Sequence, residues 1–225
     1  MLLNVPDGFK SLVITGGFSD SDDQGVTVIT LEKGVESHIS NWGLTRLTPR
    51  YSDEPIFVYG ASLTPLVSPT LSKEVEKDRF MQLRPGITKK NVAKAVRFGG
   101  FDGGEYSDET NQVWVLTIFE CDYEDGSLDQ FAVWEKMETQ GSTPKARAYH
   151  SATLIHDRYL VILGGMTHLG SCMEESILDT KTWTWIEMKL NCKGEPRGRH
   201  GHSVSFETNE GIDSLCLGKV VGLTY

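Results

Sequence analysis

Between Ser151 and Met188 the chain alternates short apolar runs with polar breaks at the spacing of strands. Ser151–Ile155 and Tyr159–Leu163 are rich in Leu, Ile and Val and flank the turn-like His156-Asp157-Arg158. That arrangement predicts two antiparallel strands joined by a hairpin. Gly164-Gly165 is expected to end the second strand, where the backbone needs positive φ or close approach to a neighbour. Met173–Leu178 predicts a third strand. Trp183–Met188, an alternating Trp-x-Trp-x-Glu-x pattern, predicts a fourth, outer one anchored by Trp183.

The same phrase recurs along the chain. Pro144, Arg147 and Tyr149-His150-Ser151 precede these strands, and 52 residues later Pro196, Arg199, His200 and His202-Ser203 restart it. Such a period marks a supersecondary unit that cannot bury its apolar face alone. Weaker copies lie upstream. Val13-Ile14-Thr15-Gly16-Gly17-Phe18 is followed by Val26–Leu31, and Val96-Arg97-Phe98-Gly99-Gly100-Phe101 by Val113–Ile118 and Val133–Met137 with its Trp134. Pro55–Ala61 reads as a degraded copy, with Ala61 in the place of the second glycine. Starting points at Gly16, Gly60, Gly99 and Gly164 give steps of 44, 39 and 65 residues. The long last step is assigned to an acidic insertion, Glu120–Asp129, lengthening one loop.

On these residues the chain resembles the kelch-repeat family, best from Val96 to Phe206. The resemblance implies an all-β fold, a kelch-type β-propeller of four-stranded antiparallel blades whose loops on one face bind other molecules, usually proteins. At about 45–50 residues per blade, four to five blades are expected in the 225 residues. They are placed at residues 8–50, 51–90, 91–140, 141–192 and, in part, 193–225 of a single domain. Two departures stand out: Gly60-Ala61 in place of a double glycine, and no clear strand before Ser11. His200–Phe206 and Ser214–Leu217 predict only two strands for the last unit, so an incomplete ring is expected. Closure by a C-terminal strand that completes the first blade is the competing expectation.

A narrower resemblance covers Leu44-Thr45-Arg46-Leu47, Ile56–Pro65 and Ser68-Pro69. These residues are similar to a blade of the tRNA wybutosine-synthesis methyltransferases, in which a leucine-carboxyl-methyltransferase-like domain precedes a kelch propeller. That likeness implies a propeller without its catalytic domain and a setting in tRNA processing. No S-adenosylmethionine site is visible in these residues.

Charge and composition narrow the function classes. The chain holds 22 Lys+Arg against 31 Asp+Glu, a net charge of −9. That balance disfavours direct nucleic-acid binding, and the basic cluster of Lys89, Lys90, Lys94 and Arg97 is short. No apolar stretch reaches the length of a membrane-spanning helix. Met1–Pro6 lacks the basic and apolar regions of a secretory signal. Cys121, Cys172, Cys192 and Cys216 are spaced 51, 20 and 24 apart, without the close pairs that zinc prefers. Reduced thiols in the cytoplasm are the expectation. Nucleophile elbow, phosphate loop and dinucleotide fingerprint are all missing. No catalytic, cofactor or metal residue is therefore assigned.

His150, His200 and His202, with Arg147 and Arg199, sit at repeat-equivalent positions and are expected to be structural. The imidazoles should bond to backbone and the guanidinium groups to blade carboxylates or carbonyls. His200-Gly201-His202 would place two imidazoles on one strand face, but no third ligand stands nearby in sequence. The structural set is completed by Gly16, Gly17, Gly99, Gly100, Gly164, Gly165, Trp134 and Trp183. Partner binding is expected in the loops after the double glycines, Phe101–Asn111 with Tyr106 and Met166–Glu175 with His168, since exposed aromatic and Met residues are typical of interface cores. The reading is a non-catalytic module for binding a protein partner. The alternatives are the detached propeller of a tRNA-modifying methyltransferase and a kelch-fold enzyme with a site in its central channel.

Overall fold

The computed structural model describes residues 2–4, 10–15, 26–31, 42–47, 58–66, 88–102, 110–123, 125–187, 197–209 and 212–218. All regular structure among them is strand. The first sheet runs β1 (Leu2–Asn4), β2 (Lys10–Thr15), β3 (Val26–Leu31) and β4 (Trp42–Leu47), each strand antiparallel to the next. Its Val-Thr-Val-Ile-Thr-Leu centre is the β-branched composition that fits a pleated surface, and Val13, Val26 and Leu47 are buried. β1 pairs Leu2 with Leu12. It is the first strand that the sequence reading did not find, and with it this sheet has four strands without borrowing one from the C-terminus.

The middle of the chain corrects the expected blade boundaries. β5 (Val58–Tyr59) pairs with β8 (Phe101–Asp102). β6 (Ser62–Leu66), β7 (Thr88–Phe98), β9 (Val113–Asp122) and β10 (Leu128–Lys136) form one sheet in the order β10-β9-β7-β6. Strands expected in two blades, 51–90 and 91–140, therefore share one, and an intervening stretch joins its first two strands. Half of the acidic insertion is longer strand, Glu120–Asp122 in β9 and Leu128–Asp129 in β10. β9 reaches Asp122, and a tight turn follows in which Tyr123 N donates to Ser127 O at 3.0 Å. Asp125 Oδ1 accepts from Ser127 N at 2.9 Å and from Ser127 Oγ at 2.6 Å.

The third sheet is β11 (Ser151–Ile155), β12 (Tyr159–Thr167), β13 (Gly170–Asp179) and β14 (Thr184–Ile186), consecutive and antiparallel. His156 and Asp157 carry φ of 50° and 53° and Arg158 N donates to Ile155 O, a turn whose twist matches the strands it joins. Arg158 then grips Asp179 in a fork, Nε to Oδ1 at 3.0 Å and Nη2 to Oδ2 at 2.6 Å. Two expectations change here. β12 does not end at Gly164-Gly165 but continues to Thr167, with a register shift between Leu163 and Gly165, so the glycines form a bulge that bends a continuing strand. And Met166–Glu175 is a close hairpin that turns at His168-Leu169, not an open loop.

The aromatic anchor also moves. Trp183 lies in the turn before β14 at φ 53°, while Trp185 is buried, its ring 5.4 Å from Phe98 and its Nε1 donating to Thr139 Oγ1. Trp134 is buried in β10. Val161, Leu163 and Ile177 form the centre of the third sheet's core, packed by Ile155, Tyr159, Ile186 and Val204. β15 (Ser203–Asn209) and β16 (Ile212–Gly218) close the described chain as a hairpin. Gly16 and Gly17 lie outside the described residues. The pieces similar to a wybutosine-synthesis blade fall in different sheets, Leu44–Leu47 in β4 and Ser62–Leu66 in β6. By contacts the chain divides into two compact units, residues 1–55, 65–95 and 115–135 in one and 56–64, 96–114 and 136–225 in the other. The repeated Arg-x-x-His segments belong to the second.

Candidate partner-binding site

Each Arg-x-x-His-Ser segment docks onto a preceding double glycine through the same set of bonds. Gly100 N donates to Arg147 O at 3.0 Å and Gly165 N to Arg199 O at 2.8 Å. Arg147 N donates to Thr110 O at 3.3 Å and Arg199 N to Cys172 O at 3.0 Å. Tyr149 N reaches Gly60 O, and Gly201 N reaches Tyr149 O, both at 2.7 Å. His150 Nε2 lies 2.9 Å from Ser62 Oγ, and His202 Nε2 lies 3.0 Å from Ser151 Oγ. Gly60, Tyr149 and Gly201 are thus equivalent, at φ 67°, 52° and 62°. Gly60-Ala61 is the opening of a unit, not a degraded double glycine, and Ala61 stands where His150 and His202 stand.

The joint explains the glycines. A Cβ on Gly99 would lie 2.5 Å from Arg147 O, and one on Gly164 would lie 2.8 Å from both Arg199 O and His202 Cε1. The incoming segment needs the space that a side chain would take.

His150 and His202 bond to serine hydroxyls, not to backbone as expected, and Nδ1 of each buried ring makes no hydrogen bond. Burial first, then the charges of Arg147 and His202, hold His150 down at about 3, with the Phe98 backbone working weakly the other way. His202 is lowered by burial, then by Arg199 and His200. Both rings are therefore neutral at neutral pH.

This gives a pH dependence. His150 has a folded pKa of about 3 against an ordinary 6.5, so its contribution to stability is complete above the unfolded value. It is lost as pH falls toward the folded value, at about 1.4 kcal/mol per unit. Denaturant melts between about pH 6 and 4 should show wild type weakening more steeply than His150→Gln. Parallel slopes would contradict the neutral buried ring.

Arg147 has no exposed surface. Its Nε donates to Lys145 O at 3.1 Å, Nη1 to Gly164 O at 3.3 Å and to Glu174 O at 3.0 Å, and Nη2 to Glu174 Oε2 at 3.1 Å. It bonds carbonyls and a carboxylate, as its repeat position suggested. Arg199 is half-buried and reaches Arg197 O at 3.4 Å. Arg97, grouped with the basic cluster in the sequence reading, is buried with its guanidinium 5.5 Å over the Trp114 ring, and burial lowers it to about 10. It is not part of a surface cationic patch.

One end of this unit carries an aromatic row. The ring centroids of Tyr59 and Phe101 are 5.3 Å apart, those of Phe101 and Tyr149 5.7 Å, and those of Tyr149 and His200 6.4 Å. His200 Nδ1 is 2.8 Å from Ser171 Oγ, in the hairpin whose tip exposes His168 and Leu169. Tyr149 and Leu169 are 38% and 78% exposed, and the only other large apolar side chain exposed among the described residues is Leu44. His168, expected in an open partner-binding loop, is exposed at the hairpin tip, while Tyr106 lies outside the described residues. The sequence reading missed Tyr149 and Leu169. Tyr149 had a signal: it replaces the equivalent Gly201 at positive φ, where a bulky residue carries strain that surrounding structure must sustain.

Comparison with known proteins agrees with this repeat. The profile of the KLHDC2/KLHL20/DRC7 kelch-repeats domain matches residues 87–212, more than half of the chain. Acyl-CoA-binding domain-containing protein 5 of Arabidopsis thaliana is 35% identical over 72 residues, which cover 31% of this chain and 11% of that protein. The chain thus spans about a tenth of the length of this curated relative.

Proposed function

The chain belongs to the kelch-repeat family, and on that premise we propose that it is a non-catalytic module that binds a protein partner through the end of its second unit bearing Tyr149, His168, Leu169 and His200. One observation carries the reading: two of the three large apolar side chains exposed among the described residues gather at this end, beside the aromatic row. Exposed aromatic and aliphatic anchors ringed by polar groups are what an interface core requires. The buried histidines support the same reading, since Nε2 of each is taken up by a serine of a joint between repeats. Scattered cysteines, with Cys172 free, suit a cytoplasmic setting.

The test is affinity capture from native cells with mass spectrometry, followed by titration of the identified protein against purified variants. Tyr149→Ala, and His168→Ala combined with Leu169→Asp, should each weaken binding by about 30-fold or more, since truncating a central anchor costs about 2 kcal/mol. Circular dichroism should be unchanged. Normal binding by both variants would place the partner elsewhere.

A further inference from the structure

We infer that Thr143 is a phosphoacceptor for proline-directed serine/threonine kinases. Four Ser/Thr-Pro pairs occur in the chain, at 48–49, 64–65, 68–69 and 143–144. Of the two that the structure describes, Thr64 is 6% exposed inside β6. Thr143 is exposed, in the strand-free stretch 142–147. The following Pro144 drives Thr143 toward extended backbone, the conformation in which such kinases take a substrate segment.

The flanks of Thr143 are held while its hydroxyl is not. Gln140 bridges to Thr184, Ser142 Oγ donates to Glu187 Oε1 at 3.1 Å, and Lys145 Nζ lies 2.8 Å from Glu174 Oε1. Thr143 makes no side-chain hydrogen bond among the described residues. A segment already extended at the surface loses little entropy when a kinase cleft closes on it. Transfer moves the γ-phosphoryl group of ATP to Thr143 Oγ1. The bond to the β–γ bridging oxygen breaks, ADP leaves, and the threonine proton passes to the kinase's general base.

The added charge would fall at a defined place. Ser142 and Pro144 line a groove of about 530 Å³ with Glu174, Ile177, Trp185 and Glu187. Phosphate adds a charge of about −1.5 to −2 between Ser142, which is bonded to Glu187, and Lys145, which is paired with Glu174. Thr143 is not among the residues of the binding face, and its phosphorylation does not require a partner there.

The experiment incubates the folded full chain with a recombinant proline-directed kinase and magnesium-ATP, and maps phosphate by mass spectrometry. A synthetic peptide of residues 139–150 serves as the control for kinase competence. Near-stoichiometric phosphate on Thr143, none on Thr64, and loss of the Thr143 signal in Thr143→Ala are expected. Phosphorylation of the peptide but not of Thr143 in the folded chain would overturn the inference, because the fold would then withhold the site. No phosphate on either would overturn it too, because the segment would not be a substrate.

Discussion

Arg147→Ala is expected to lower the unfolding free energy by about 3–4 kcal/mol, since each buried carbonyl left without its donor costs about 1–3 kcal/mol. The side chain is fully buried and holds the carbonyls of Lys145, Gly164 and Glu174 together. Its loss therefore loosens the bulge after β12 and the docking segment together. The Glu174 carboxylate is 48% exposed, so water takes up most of its charge and the ion pair is the smaller part of the loss. Arg147→Lys should recover little, because an ammonium cannot reproduce the fork. Lys145→Ala, which breaks only the exposed pair with Glu174, should stay within about 0.5 kcal/mol of wild type. Urea denaturation at neutral pH decides it: a loss below about 1 kcal/mol for Arg147→Ala would show that the guanidinium does not hold the joint.

Gly164→Val is expected to cost as much or more. Gly164 sits at φ 61°, and a Cβ there would stand 2.8 Å from the Arg199 carbonyl and the His202 ring. Backbone strain accounts for about 1–3 kcal/mol, and the forced shift of the docking segment for about 1–3 kcal/mol more. Gly126 is the matched control. It has a φ of 78° and nothing within 4 Å of an added Cβ, so Gly126→Val should show the backbone part alone. If the two variants melt alike, the double glycine serves the local bend and not the contact with the next unit. A partial test is His202→Ala in the Gly164→Val background, which removes the ring from the clash and should recover part of the loss.

How much was legible without coordinates differs from one feature to the next. The strands of the third sheet were readable, because Ser151–Ile155, Tyr159–Leu163 and Met173–Leu178 are local apolar runs and the turn between the first two is three residues long. The joints were readable in outline, since Pro-x-x-Arg followed by His-Ser repeats at a fixed spacing. Trp183 against Trp185 was not: alternation puts both on one face, and only the positive φ at Trp183 takes it out of the strand. Nor was the ending of β12, because a double glycine stops one strand and bulges another, and the choice rests on pairing with Gly170–Cys172 across the turn.

The sequence by itself determined the all-β class, the repeat and the residue types of the joint, because these follow from period-two patterning and from side chains that recur in register. Tertiary structure decided which groups meet. His150 finds Ser62 88 residues away and His202 finds Ser151 51 residues away, and nothing local in either segment names the other. It also decided that β6 shares a sheet with β7, β9 and β10, since backbone pairing is indifferent to side-chain identity and can span a long connection. The role of Gly60-Ala61 followed only from the bond of Tyr149 N to Gly60 O, made between segments far apart in the chain. The exposure of Tyr149 was likewise decided by the folded chain, since a pattern of apolar and polar letters would have counted it toward the core.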